Sequence, residues 1–243
     1  MLVSHRKKFI FTKTRKTAGT SVESVFEPYC MPEGTWEQIH YAPERISPDG
    51  IIGHRGDGWK KANWWNHMPA ELIRNRVGEE IWNEYFKFTV IRNPFDKLVS
   101  GFHMQWAHYA QVRQQGYLQK FKVMTKRFLG RALPIELVKG NNEIERFRSW
   151  IRAGGVVVSD QETYMIDGKV CLDHFIRYEN LENGVREVLL RLDVDPSACV
   201  IPKFKANIRK SRTPTVQYYD AETEAIARRL YAWELNFFNY DLK

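Results

Sequence analysis

Short apolar runs alternate along this chain with longer stretches in which apolar residues recur at helical spacing. Phe9 to Thr12 is a β-type run, followed by the polar loop Lys13 to Gly19 and then by Val22, Val25 and Phe26 on one helical face. Thr20 and Glu23 have capping-box spacing, which predicts a helix start near Thr20. The theme repeats at Lys87 to Ile91. There Arg92-Asn93-Pro94 turns a strand into a helix, with Asn93 as N-cap, Pro94 at the first position and Asp96 in the first turn. Leu98, Val99, Phe102, Trp106 and Tyr109 continue that apolar face to about Gln115. His174 to Tyr178 reads as a third strand, and Leu181, Val185, Val188, Leu189 and Leu192 define the helix behind it.

The intervening stretches are less regular. Pro28, Pro32, Pro43, Pro48 and Pro69, with several glycines, predict mostly irregular chain over residues 28–69, the kind of loop that carries binding groups. Two short helices separated by Gly78 are expected before Phe86, and another helix around Phe147 and Trp150, closed by Gly154-Gly155. A last helix is expected from Asp220 to about Leu235, with Ile226, Leu230 and Trp233 turned inward. Alternating β and α elements imply an α/β fold with a central mostly parallel sheet, helices on both faces, and ligands beyond the carboxyl ends of the strands.

Composition narrows the function classes only partly. With 43% hydrophobic and 27% charged residues the chain has enough apolar surface for a core and is not a disordered polyelectrolyte. A formal charge of +8 favours an anionic partner or cofactor without choosing among nucleic acid, membrane surface, acidic glycan and polyphosphorylated nucleotide. Cys30, Cys171 and Cys199 are far apart and form no CxxC, so neither a disulfide framework nor a metal site is expected, and a reducing compartment fits. The opening MLVSHRKKFIFT has too short an apolar run for a signal peptide or a membrane span. A cytoplasmic chain is the expectation, although a trimmed catalytic domain of a membrane-anchored enzyme would look the same.

The chemistry concentrates at the first two strand ends. In Thr12 to Ser21 the backbone N–H groups of a strand-to-helix turn can converge on an anion. Gly19 frees the turn, Lys16 brings a point charge, and Thr17, Thr20 and Ser21 add hydroxyl donors. A capped helix behind a basic turn is the plainer alternative. The segment is not a GxxxxGK[ST] loop, because the lysine precedes the only glycine, which weakens a kinase or NTPase reading. Arg92 offers a planar fork of donors suited to phosphate, and Ser100 sits inside a helix, where serine has little intrinsic advantage.

The segment RKTAGTSVE, residues 15–23, resembles the 5′-phosphosulfate loop of PAPS-dependent sulfotransferases, particularly the carbohydrate (heparan/chondroitin-type, family 2-like) branch. IRNPFDKLVSGF, residues 91–102, resembles that family's 3′-phosphate motif, and QETYMIDGKVCLDHFIRYENL and the tail ANIRKSRTPTVQYYDAET are similar to its later segments. Arg15 stands where that branch usually has proline.

The resemblance implies a P-loop-like three-layer sandwich forming a single sulfotransferase domain over residues 1–243. It implies 3′-phosphoadenylyl sulfate (PAPS) as donor, 3′-phosphoadenosine 5′-phosphate (PAP) as product, no metal, and a carbohydrate or other hydroxyl-bearing acceptor, with no nucleic acid partner and no membrane span. On this basis Arg15, Lys16, Thr17, Ala18, Gly19, Thr20 and Ser21 would hold the 5′ side of the donor, and Arg92 and Ser100 the 3′-phosphate. Asn207, Arg209, Lys210, Ser211 and Arg212 would form a basic cap. Lys16 would stabilise the leaving group, and His54, in a Gly-His pair resembling the family's catalytic position, would be the base, with His40 second and Glu37 and Glu44 as alternatives. Arg45, Arg55, Lys60 and Lys61 are candidates for contact with an anionic acceptor, and Trp59, Trp64 and Trp65 for stacking on a sugar. Two rivals remain at this point: a small-molecule kinase using ATP and magnesium, and a non-catalytic nucleic-acid binder.

Overall fold

The structure is a computed structural model, and it describes residues 1–114, 133–197, 199–202, 204, 211 and 213–243. Two compact units can be distinguished: Met1–Arg92 with Ser159–Phe204, and Asn93–Val158 with Lys205–Lys243.

The first unit contains a six-stranded sheet with helices around it. Its strands are β1 (Leu2–Ser4), β2 (Phe9–Phe11), β3 (Arg45–Ser47), β4 (Gly50–Ile52), β5 (Phe86–Ile91) and β8 (His174–Arg177), in the order β3-β4-β1-β2-β5-β8. The α/β class is as the pattern implies. The three strands that end in the predicted loops pair in parallel, β2 with β5 (Phe11↔Phe88) and β5 with β8 (Val90↔Ile176). An antiparallel flank, β1, β4 and β3, extends the sheet beyond β2, and of its strands β3 and β4 lie within the region expected to be irregular. A separate two-stranded ribbon is formed by β6 (Met165–Ile166) and β7 (Lys169–Val170).

Helices α1 (Gly19–Phe26) and α6 (Leu181–Arg191) pack on this sheet through Val22, Phe26, Val185, Val188 and Leu189 against Phe9, Phe11, Phe88, Val90 and Ile176. Each large apolar side chain buried there contributes about 1.5–3 kcal/mol. Gly184 allows the close approach of α6 to β8, since a Cβ there would lie 2.7 Å from Ile176. Gly78, at φ 86°, separates α2 (Ala70–Val77) from α3 (Glu79–Glu84), as expected from the sequence.

The second unit is helical: α4 (Pro94–Gln114), α5 (Glu143–Arg152), α7 (Thr215–Tyr218), α8 (Ala221–Leu230) and α9 (Ala232–Phe237). Asn93 Oδ1 accepts from Phe95 N at 3.1 Å, the cap expected from the sequence, and Asn142 Oδ1 accepts from Glu145 N at 2.9 Å at the start of α5. Phe102, Phe147, Trp150, Tyr218 and Tyr219 form the aromatic centre of its core. The last helix departs from expectation. It breaks at Tyr231; Thr223, Ala227, Tyr231 and Leu235 are buried, Ile226 packs partly buried against the core as expected, and Leu230 is exposed. Among the described residues no helix is long and apolar enough to cross a membrane, and no cluster of three metal-ligating side chains occurs.

Candidate active site

The three parallel strands end at one edge of the sheet, where their following loops present Lys13 to Ala18, Arg92 and Tyr178. The loop after β2 is tied down along its length. Thr12 N donates to Phe88 O at 3.1 Å, the Thr14 hydroxyl donates to Val90 O, and Thr14 and Thr17 share a hydroxyl contact of 2.8 Å. Arg15 donates from its backbone N–H (3.0 Å) and from Nη1 (3.1 Å) to the buried carboxylate of Asp160. Where the resembling carbohydrate branch usually has proline, this chain has an arginine braced by an ion pair.

Two non-glycine residues of this loop adopt left-handed backbone, Lys16 at φ 63° and Ala18 at φ 57°. Such conformations cost about 1–3 kcal/mol each and persist where the surroundings over-determine them, which is typical of ligand-binding turns. Helix α1 is capped two residues earlier than the capping-box spacing of Thr20 and Glu23 predicts. Its N-cap is Ala18, with no side-chain cap, and neither Thr20 nor Glu23 serves that purpose. The first amides of α1 thus lack acceptors within their own helix, as at any helix start, and stand at its positive end. Gly19 is required for packing, because a Cβ there would lie 2.9 Å from the Lys13 side chain.

Arg92, the first residue after β5, turns its guanidinium onto this same loop. Its Nη1 donates to the Lys16 carbonyl at 2.7 Å, and its guanidinium carbon lies 4.0 Å from the centre of the Tyr178 ring, a cation–π contact. The two motifs, separated by more than seventy residues in sequence, therefore meet. Ser100 is partly buried on α4 of the second unit, and the Ser211 hydroxyl contacts Thr213 at 2.6 Å, also in that unit. Asn207, Arg209, Lys210 and Arg212 lie outside the described residues.

Beneath the loop lies a buried ion network that sequence reasoning missed. Lys13, only 4% exposed, donates to the Glu23 carboxylate and, at 3.0 Å, to the Thr20 hydroxyl. Glu23 also accepts from the Met1 ammonium at 2.7 Å and from Arg55 at 3.4 Å, and Arg55 pairs with Glu27 as well. Burial alone would raise the Glu23 pKa, but Lys13, the Met1 ammonium and Arg55 outweigh it and hold the carboxyl at about 2. Arg55 is thus not available to an acceptor. The one sequence signal was a basic residue beside a candidate histidine, and it does not distinguish a buried arginine from a displayed one.

The histidines are placed as follows. His54 sits on a backbone bridge to Trp65, with its N–H donating to Trp64 O at 2.8 Å. Its Nε2 contacts Asp57 O at 2.8 Å. A carbonyl can only accept, so Nε2 carries the proton and Nδ1 is the basic nitrogen. His40 packs its ring edge-on against Tyr41 at 4.4 Å and tilted against Phe204 at 5.1 Å. Glu44 accepts from Asn63 N and Trp64 N at 3.0 and 2.7 Å, which makes it a loop clamp, whereas Glu37 is exposed. Trp64 is buried. Trp59 is 45% exposed, 5.8 Å from Trp65, and Arg76 lies 5.3 Å over the Trp65 ring.

A third histidine belongs to this neighbourhood. His67 Nδ1 contacts the Lys13 carbonyl at 2.9 Å. Burial, followed by the charge of Lys13, pushes its pKa down to about 4, so the ring is neutral at pH 7.

These two groups make the fold sensitive to acid. Glu23 has a folded pKa below its ordinary 4.5, so its contribution is full above pH 4.5 and is lost as pH falls toward 2. For His67 the unfolded chain takes up a proton near pH 6.5 and the folded one only near 4, so stability declines across that interval. Each window is worth up to about 3 kcal/mol. His67→Gln should remove the upper window. Urea midpoints measured from pH 7.5 to 4 check this, and an unaltered slope between pH 6.5 and 4.5 would refute it.

Comparison with known proteins agrees with the motifs. A family model described as "Sulfotransferase family" matches residues 1–241. The chain belongs to the sulfotransferase family. The chain is also similar to carbohydrate sulfotransferase 10 of Xenopus laevis, with 26% identity over 108 residues, covering 44% of this chain and 26% of the relative. The match thus spans about a quarter of that relative's length. No solved structure matches the chain significantly.

Proposed function

We propose that this sulfotransferase takes a sulfuryl group from PAPS and passes it to a hydroxyl on a carbohydrate acceptor, releasing PAP. The observation that carries this reading is the 2.7 Å hydrogen bond from Arg92 to the Lys16 carbonyl, which joins the two resembling motifs at the ends of adjacent parallel strands. The residues present fit such a donor. Left-handed backbone at Lys16 and Ala18 and the small Gly19 leave room for an anion against the N-terminus of α1, while the Arg92 fork suits a phosphate.

The donor, when bound, supplies an activated sulfuryl group on a phosphate leaving group. In this reading the amides of the β2–α1 turn and the hydroxyls of Thr17, Thr20 and Ser21 hold the 5′ side, Arg92 holds the 3′-phosphate, and the Lys16 ammonium offsets charge on the departing oxygen. His54 takes the acceptor proton on Nδ1, with His40 as the second choice. The exposed Trp59 beside Trp65, together with a relative that is a carbohydrate sulfotransferase, supports a sugar acceptor.

Magnesium-independent nucleotide recognition tests the donor class. PAP should raise the melting temperature without magnesium, whereas ATP should not, and equal shifts from the two would favour the kinase rival. Steep loss of a nucleic-acid complex with salt, with Lys16→Ala immaterial, would favour the nucleic-acid rival. His54→Ala should retain PAP binding and lose about 10²–10⁴-fold in turnover, measured by radiolabelled-sulfate transfer to a panel of glycans and alcohols. Full activity in that variant would move the base elsewhere.

A further inference from the structure

Arg55 follows His54 directly, and its guanidinium is spent entirely inside the first unit. Nη1 pairs with Glu27 and reaches Glu23 at 3.4 Å, Nη2 donates to Ile39 O, and Nε donates to His40 O at 3.2 Å. Its backbone N–H and carbonyl also exchange hydrogen bonds with Ala42 at 2.8 and 3.1 Å. The side chain is 4% exposed, and Glu23 and Glu27 are 1% and 2% exposed. Both carboxylates belong to α1 and the turn that follows it, the helix entered directly from the Lys16 loop. Glu23 is held in turn by Lys13, whose side chain passes against Gly19.

We infer that Arg55 is a positioning residue that fastens both histidine-bearing loops, residues 39–42 and 53–55, to the helix behind the donor loop, so that base and donor keep a fixed separation. This rests on the reading of the donor loop and of His54 given above. Only an arginine can do this. Its planar fork reaches two carboxylates and two carbonyls at once, whereas a lysine is a single point donor at the end of a flexible stem. In-line transfer needs near-attack geometry, and a misplacement of about 1 Å costs on the order of 10²-fold in rate.

Arg55→Lys keeps the charge opposite Glu23 and Glu27 and is the informative variant; Arg55→Met, which takes the Arg55 cation from Glu27 while Glu23 keeps Lys13 and the Met1 ammonium, is its harsher companion and is expected to lower stability. For Arg55→Lys the expected result is a PAP dissociation constant within about 3-fold of the parent and a kcat lowered about 10–100-fold. The His40 and His54 ring resonances should be displaced in a ¹H–¹⁵N histidine spectrum. Unchanged ring resonances would overturn the inference whether or not the protein transfers sulfate. So would an unchanged kcat, or a loss of PAP affinity in step with the loss of kcat, which would assign the network to the donor loop alone. Failure of the parent protein to bind PAP would count against the donor reading instead, and the histidine spectrum would still decide the placement of the two loops.

Discussion

Lys16→Ala is expected to lower kcat for sulfuryl transfer by about 10²–10³-fold, the usual effect of removing one preorganised donor from a site of developing negative charge. The fold should survive the change. Lys16 is partly exposed, its carbonyl rather than its side chain receives Arg92, and alanine meets the same left-handed backbone at a similar cost. The loss should therefore fall on kcat far more than on melting temperature, and PAP, which lacks the sulfuryl group, should bind at most about 10–100-fold more weakly than to the parent, because a single charge-assisted contact is worth about 1.5–3 kcal/mol. Single-turnover rates with radiolabelled donor, alongside PAP titrations, separate the two effects. A variant with the parent's kcat would remove Lys16 from the chemistry.

Arg92→Ala should weaken PAP binding by about 10–100-fold, from the loss of charge-assisted bonds to a phosphate. Two further contacts disappear with the guanidinium: the bond to the Lys16 carbonyl and the stack on Tyr178. The first braces a loop that holds two left-handed residues, so kcat should also fall, by less than in Lys16→Ala. Arg92→Lys keeps a charge but not the fork and should recover only part of the affinity. Calorimetry at fixed ionic strength measures all three proteins. If Arg92→Lys binds PAP as tightly as the parent, a point charge suffices and bidentate recognition is not used.

The buried network beneath the loop explains why these effects should be separable from stability. Glu23, Glu27, Lys13 and Arg55 carry much of the local electrostatic organisation, and none of them projects into solvent. Removing one member of such a network strands its partner as a buried charge, which typically costs about 3–5 kcal/mol. Changes at Lys16 and Arg92 leave that network whole.

Much of the scaffold was legible along the chain because its signals are local. The strands at Phe9, Lys87 and His174 are short apolar runs ended by polar turns, and Asn93 and Asp220 are capping residues whose effect depends only on their neighbours. The loop after β2 and Arg92 were likewise readable as residue types at a strand end. The antiparallel flank was not. β1, β3 and β4 are three residues each, too short for a periodicity; β1 is a strand because Leu2 finds both Phe11 and Ile52 as partners, and β3 because Arg45 lies opposite Ile52 of β4. Glu23 looked like a capping residue because its spacing from Thr20 is right. Its actual role depends on Lys13, ten residues back, and on Arg55, thirty-two residues on. Arg55 itself, a basic residue in a polar loop, reads as exposed until the fold surrounds it. By itself, then, the sequence determined the elements and the chemistry offered at each strand end, since propensity, capping and side-chain type act over a few residues. Which charges face a ligand and which are buried as braces was decided only by the tertiary structure, because desolvation and pairing depend on groups that only folding brings within a few ångströms.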